Sequence, residues 1–264
     1  MSVKRSFGRV FGFFFALGRK TGKTRALALL GLFPVVLAVV ARIFLRGRSG
    51  DMAAVFTEIL MVFFLQLYVV ILSLFYGTSV VGEEVENRTL SYLTTRPVSK
   101  PAIVLGKYAA YSLLMFVMVG LGLGVSFFIL NAPRLGDPAL YATFLRYLGV
   151  LGLGILAYTA FFTFLGALLK KAIIVGLVFG FGWENVIQYF PGSTQRFSVV
   201  HYLKSLLPIH RAGPGGGGRG VALLLFRLEP TAPLVAVLAL VAIAAVFLAL
   251  ACGLFRTKEY LSED

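Results

Sequence analysis

The sequence predicts an all-α polytopic integral membrane protein, with six transmembrane helices preceded by an N-terminal amphipathic interfacial helix. Three observations carry that expectation. Hydrophobic residues make up 59% of the 264 positions and charged residues only 14%, with a mean hydropathy of +0.90. A soluble domain carries about 25% charged residues because its surface faces water. The apolar residues also fall in continuous runs long enough for a helix to cross a hydrocarbon core of about 30 Å, not in the alternation of barrel strands. Finally, the charges flank those runs, so the net +14 reads as orientation against anionic headgroups. Nucleic acid is not an expected partner. The single Cys excludes a disulfide framework and a cysteine-rich metal site.

Residues 1–25 open the chain with Phe7, Val10, Phe11, Phe14 and Leu17 on one helical face and Arg5, Arg9, Gly12, Ala16 and Arg19 on the other. That pattern predicts a helix in the cytoplasmic interface. Arg19, Lys20 and Lys23 stand where a signal peptide would place its small-residue cleavage site, which argues against cleavage.

Spans are expected at about 26–45, 59–81, 108–133, 147–169, 172–190 and 231–255. The first has Pro34 as a bend and Arg42 near its end; the fifth is the weakest, because Glu184 sits inside it. Gly120–Gly124 and Gly176–Gly180 are small-xxx-small pairs suited to close helix approach. With the N-terminus inside, cytoplasmic segments hold fifteen Lys and Arg and outer segments ten. The bias places both termini in the cytoplasm, with 256–264 as a tail. In the outer loop 191–230, Val199, Val200, Leu203, Leu206 and Leu207 share a helical face apart from His201, Lys204 and Ser205, which predicts a short interfacial helix. Gly213 to Gly220 reads as a flexible linker.

The cytoplasmic segment 82–107 is the informative one. Glu83, Glu84 and Glu86 follow directly on an apolar span; Val85, Thr89, Leu93 and Arg96 share a helical face that Leu90 extends. Pro97 ends this helix by disfavouring helical geometry at Arg96, and Ser99 can cap the next one, where Pro101 is tolerated. A charged, semi-apolar helix held between two spans reads as a docking surface for a cytoplasmic partner.

At these residues the chain resembles the permease subunits of type-2 ABC (ATP-binding-cassette) exporters. The shared pattern is the acidic cluster Glu83, Glu84 and Glu86, then Thr89-Leu90, Leu93, Pro97-Val98-Ser99-Lys100 and Gly106-Lys107. The amphipathic N-terminal helix, the six-span layout, Trp183-Glu184 and His201-Tyr202-Leu203 extend it over most of the chain. The resemblance implies a plasma (inner) membrane permease that pairs with a second permease, a homodimer or a close paralogue, and with two copies of an ABC ATPase. ATP and magnesium would be bound by the ATPase, with no cofactor, metal or catalytic residue in this chain. It also implies that the loop between spans two and three couples ATP-driven closure to the spans, a role carried onto Glu83, Glu84, Glu86, Arg88, Thr89, Leu90, Leu93, Arg96 and Pro97.

Three other readings compete. Gly18-Arg-Lys-Thr-Gly-Lys-Thr24 looks like a phosphate-binding loop, but it has three residues before Gly-Lys-Thr where the motif needs four. Glu83-Glu84-x-x-x-Arg88 and Phe197-x-x-x-His201 match two motifs of CAAX-type intramembrane proteases, with Glu84 as general base. The third motif fails, because Ser205 and Pro214 stand where it needs Asn or Asp, and the expected topology puts Glu83 and His201 on opposite sides. An ion-coupled secondary transporter or channel needs ionisable groups near the midplane, and Glu184 is the lone carboxylate available.

Overall fold

The computed structural model describes residues 3–44, 56, 59–82, 100–187, 193–207 and 231–257. Among them there is no strand. Five helices are long and apolar enough to cross a membrane: Gly22–Phe44, Val62–Ser79, Pro101–Leu130, Pro138–Leu168 and Pro233–Phe255. The expected fifth span appears as the shorter apolar helix Ala172–Val186. At 1.5 Å per residue it reaches on the order of 22 Å. The linker 213–220 and residues 258–264 of the tail lie outside the described residues.

The chain begins with α1 (Val3–Lys20) and turns at Thr21 into α2 (Gly22–Leu30) and α3 (Phe33–Phe44). Thr21 caps α2, accepting from the Thr24 amide. The first span breaks between α2 and α3 because Pro34 has no N–H and crowds the carbonyl four residues back. The Tyr68 ring packs against Gly31 at this break, and its hydroxyl donates to the Leu27 carbonyl at 3.2 Å. Next comes α4 (59–79), wound in wide π turns over Ile59–Tyr68 and α-helical over Val69–Ser79. The helices α5 (Lys100–Leu130) and α6 (Pro138–Leu168) form an antiparallel pair of 31 residues each. Then follow α7 (Ala172–Val186), α8 (Val199–Leu206) and α9 (Pro233–Thr257).

The bundle is built around α4, of which 72% of the apolar window is buried, against 17% for the peripheral α9. The helices α4 and α6 lie backbone to backbone. A Cβ at Gly77 would stand 3.0 Å from the Thr159 carbonyl oxygen, and one at Gly166 2.8 Å from that of Thr78. Without hydrophobic driving force between helices in lipid, such van der Waals contact is what holds them. Gly176 and Gly180 bring α7 onto Leu74, Val70 and Phe162, whereas Gly120 meets a single Leu148 methyl at 3.3 Å and Gly124 makes ordinary contact with Phe144.

First α1 and then the first span run alongside α5: Val10 and Gly18 of α1 meet Gly106 and Tyr111 with Leu114, and Gly31 of the first span meets Gly122. Arg42 does more than reach toward headgroups. It donates to the Ile129 carbonyl at 2.8 Å and to that of Leu130 at 3.4 Å, capping orphan carbonyls at the end of α5. Exposed apolar side chains such as Leu29, Phe44, Leu121, Val178 and Leu238 cover the rim, as a lipid-facing surface requires.

Candidate functional site

Three places in the bundle gather polar or irregular structure. The first lies at the end holding α1, at the feet of the segment predicted to couple. Glu83, Glu84, Glu86, Arg88, Thr89, Leu90, Leu93, Arg96 and Pro97 all lie outside the described residues. What is described is the frame on either side. The last turn of α4 is stitched to α2 and α5 together. Lys23 Nζ donates to Ser79 Oγ at 2.6 Å, and Lys107 Nζ donates to the Ser79 carbonyl at 3.1 Å. Thr24 Oγ1 and the Tyr76 hydroxyl are 2.6 Å apart. Lys107 also lies over the Phe14 ring of α1 at 4.7 Å and the Tyr111 ring at 5.8 Å.

The same stitching disposes of the phosphate-loop reading. Thr24 gives its hydroxyl to the Gly18 carbonyl, Thr21 donates to that carbonyl too, and Lys23 is held on Ser79. These groups close a helix junction, so no cradle of free donors is left among the described residues.

The second place is an open cleft of about 520 Å³ between the first span, α4 and α7. Phe33, Leu37, Val62, Phe63 and Phe181 supply apolar walls, and Gln66 and Asn185 supply its amides. Its α4 wall is the π-wound stretch Ile59–Tyr68, and Phe181 belongs to a second one, Val178–Trp183. Such windings concentrate at functional positions. Asn185 donates to the Phe181 carbonyl at 2.8 Å, so one amide is spent securing the wider turn.

The third place lies on the far side of the bundle from Lys107, where α8 is drawn into the protein. Glu184, near the end of α7, caps α8. It accepts from Ser198 Oγ at 2.5 Å, from the Val199 amide at 3.1 Å and from the Val200 amide at 3.4 Å. The Ser198 hydroxyl in turn accepts from the His201 amide at 3.4 Å. His201 Nε2 pairs with Thr231 Oγ1 at 2.9 Å, and Ser205 Oγ accepts from the Thr231 amide at 3.2 Å, tying α8 to the start of α9. Tyr158 stands beside the Glu184 carboxylate.

The amphipathic pattern of α8 predicts an interfacial helix with its polar face in solvent. The structure instead buries that face: His201 is 2% exposed and Lys204 0%. The reason is the carboxyl group of Glu184, which offers the helix N-terminus hydrogen-bond acceptors within the bundle. Burial pushes the Lys204 ammonium down to about 8, and the Glu184 carboxylate works against that. His201 is held below its ordinary value by burial first, then by Arg196 and Lys204. It therefore stays neutral at pH 7. The sequence signal for this knot was a carboxylate inside a span, which needs partners, together with Lys204 three residues after His201.

The knot holds His201 of the second motif behind the protease reading, while Glu83, Glu84 and Arg88 of the first lie outside the described residues. Leu203 of α8 packs at Gly154 beside Val69, whereas α4 runs on to Ser79. Ten residues of α4, on the order of 15 Å, stand between those levels.

Five helices of spanning length, close helix contacts at glycines and a rim of exposed apolar side chains define a multi-pass membrane protein. Residues 19–183 match the family of the ABC-2 family transporter protein, and the chain belongs to that family: it is a type-2 ABC permease, a membrane transport component of a kind that generally works with an ATPase partner. No curated protein matches the chain.

Proposed function

We propose that this permease is the membrane half of an exporter in the plasma (inner) membrane, driven by two copies of a separate ATPase that binds the ATP and magnesium. A second permease, identical or closely related, completes the path by two-fold symmetry. Both termini face the cytoplasm. Closure of the ATPase pair pushes on 83–97, through Glu83, Glu84, Glu86, Arg88, Thr89, Leu90, Leu93, Arg96 and Pro97. The push tilts the first span, α4 and α7 about the seam between the two copies.

The observation that carries this reading is the stitched frame of the segment. Its two feet, the end of α4 and the start of α5, are joined through Ser79 and Lys107, so force arriving between them reaches the bundle core. The cleft bounded by the first span, α4 and α7 supports the choice of moving helices.

The test is purification of the tagged chain from its native cell in mild detergent, with mass spectrometry of what accompanies it. Recovery of a P-loop ATPase at about one per permease, lost in a Glu84→Ala, Arg96→Ala double variant that still inserts, is the expected result. Recovery of the chain alone under several mild conditions overturns the proposal.

A further inference from the structure

Lys107 is 1% exposed, an unusual place for a lysine, since its charge must be compensated where water is scarce. Its ammonium meets three structural elements at once. It donates to the carbonyl of Ser79, the last residue of α4. That carbonyl lies among those a helix end leaves without an intrahelical donor, where a cation is favoured. It sits over the ring of Phe14 on α1 and over Tyr111 on its own helix, the geometry of cation–π attraction. The neighbouring position explains how α1 comes so near. A Cβ at Gly106 would stand 2.7 Å from Val10 Cγ1 and 3.0 Å from Val10 Cβ, so a side chain there would push α1 away from α5.

Ser79 receives a second lysine, Lys23 of α2. Two ammonium groups from separate elements thus converge on the residue three positions before Gly82, where the coupling segment begins. Lys107 stands one helical stretch beyond Pro97, where it ends. Lys107 thus joins α5 to the end of α4 and holds α1 against both.

We infer that Lys107 is a positioning residue for coupling: it joins the two feet of segment 83–97 and ties α1 to them, so that α1 moves with the segment. This rests on the proposed ATP-driven mechanism and adds α1 to its moving helices, beside the first span, α4 and α7. Lys107 touches no nucleotide or cargo in this scheme. Arginine at the position keeps both the carbonyl donor and the cation–π partner. Methionine keeps length and packing but loses the charge.

The test uses the permease with its co-purified native ATPase in nanodiscs, with Cys252 replaced by Ser. Spin labels at Leu17 on α1 and at Thr95 in the segment are each paired with one at Leu168 at the end of α6. Distances are read with and without ATP, magnesium and vanadate. In the wild type both distances shift on trapping. In Lys107→Met the Thr95 shift persists and the Leu17 shift is lost; Lys107→Arg restores it. Phe14→Leu, which leaves the Ser79 contact in place, reduces the Leu17 shift and keeps the test decisive if Lys107→Met does not assemble. An undiminished Leu17 shift in Lys107→Met or in Phe14→Leu, or a wild-type shift at Thr95 alone, overturns the inference while leaving the ATP-driven reading intact. A wild-type complex with no shift at either label overturns both.

Discussion

Replacing Glu184 with leucine removes the acceptor of three hydrogen bonds that hold α8 within the bundle, from Ser198 Oγ and the Val199 and Val200 amides. The three are not additive, because they share one carboxylate and one helix end. Stripping one partner from a buried charged cluster costs about 3–5 kcal/mol, since the remaining groups stay desolvated and unmatched. Here those groups are the two amides, the Ser198 hydroxyl and the Lys204 ammonium. For a chain of this size 1 kcal/mol corresponds to about 2–4 °C, which places the loss for Glu184→Leu at roughly 6–20 °C. Glu184→Gln keeps the volume and one acceptor and should lose about half as much.

The assay is thermal unfolding of the detergent-solubilised permease, followed by size-exclusion of the remaining monodisperse protein. Hydrogen exchange at the Val199 and Val200 amides localises the effect. The double variant with Lys204→Met decides the electrostatics. If the carboxylate compensates Lys204, the pair of changes costs less than the sum of the two singles. Melting of Glu184→Leu at the wild-type temperature refutes the capping account, and additivity within about 0.5 kcal/mol refutes the Glu184–Lys204 coupling.

The same lysine gives a pH signature. Burial lowers it from 10.5 to about 8, so between those values the unfolded chain binds more protons than the folded one and stability rises with pH. The rise is on the order of 3 kcal/mol, seen as a climbing melting temperature from pH 8 to 10.5, and Lys204→Met should flatten it. Gly166→Leu sets a side chain against the backbone of Thr78; forcing α4 from α6 should cost about 1–3 kcal/mol, read as a lower melting temperature than that of Gly149→Leu, where a Cβ meets nothing within 4 Å. Tyr68→Phe removes the donor to the Leu27 carbonyl at the Pro34 break. It should cost about 1 kcal/mol, with faster exchange of the α2 amides than in the wild type.

The class of fold was legible because it depends on sums. Runs such as 108–133 and 147–169 are uncharged over a length that only lipid permits, and no packing detail changes that. The resemblance carried by Glu83–Lys107 was legible too, as a local pattern, and the family match over 19–183 agrees with it. Pairings were not legible. Arg42 reads as a residue near a span end, and only the neighbouring α5 shows that it caps Ile129 and Leu130. Among the glycines, spacing singled out Gly120–Gly124 equally with Gly176–Gly180, yet the backbone approach falls at Gly77, Gly122 and Gly166. Spacing fixes which residues share a face but not which helix that face meets.

The amino-acid order by itself determined that this protein lives in a membrane, how many apolar segments it offers and which stretch carries the resemblance to its family. These follow from hydrophobicity and charge along the chain, which are properties of single segments. Only the tertiary structure decided that Lys107 serves Ser79 and Phe14, and that Glu184 draws the polar face of α8 inward. A buried charge is tolerated only where distant elements bring donors and acceptors to it, and those distances exist only once the helices have packed.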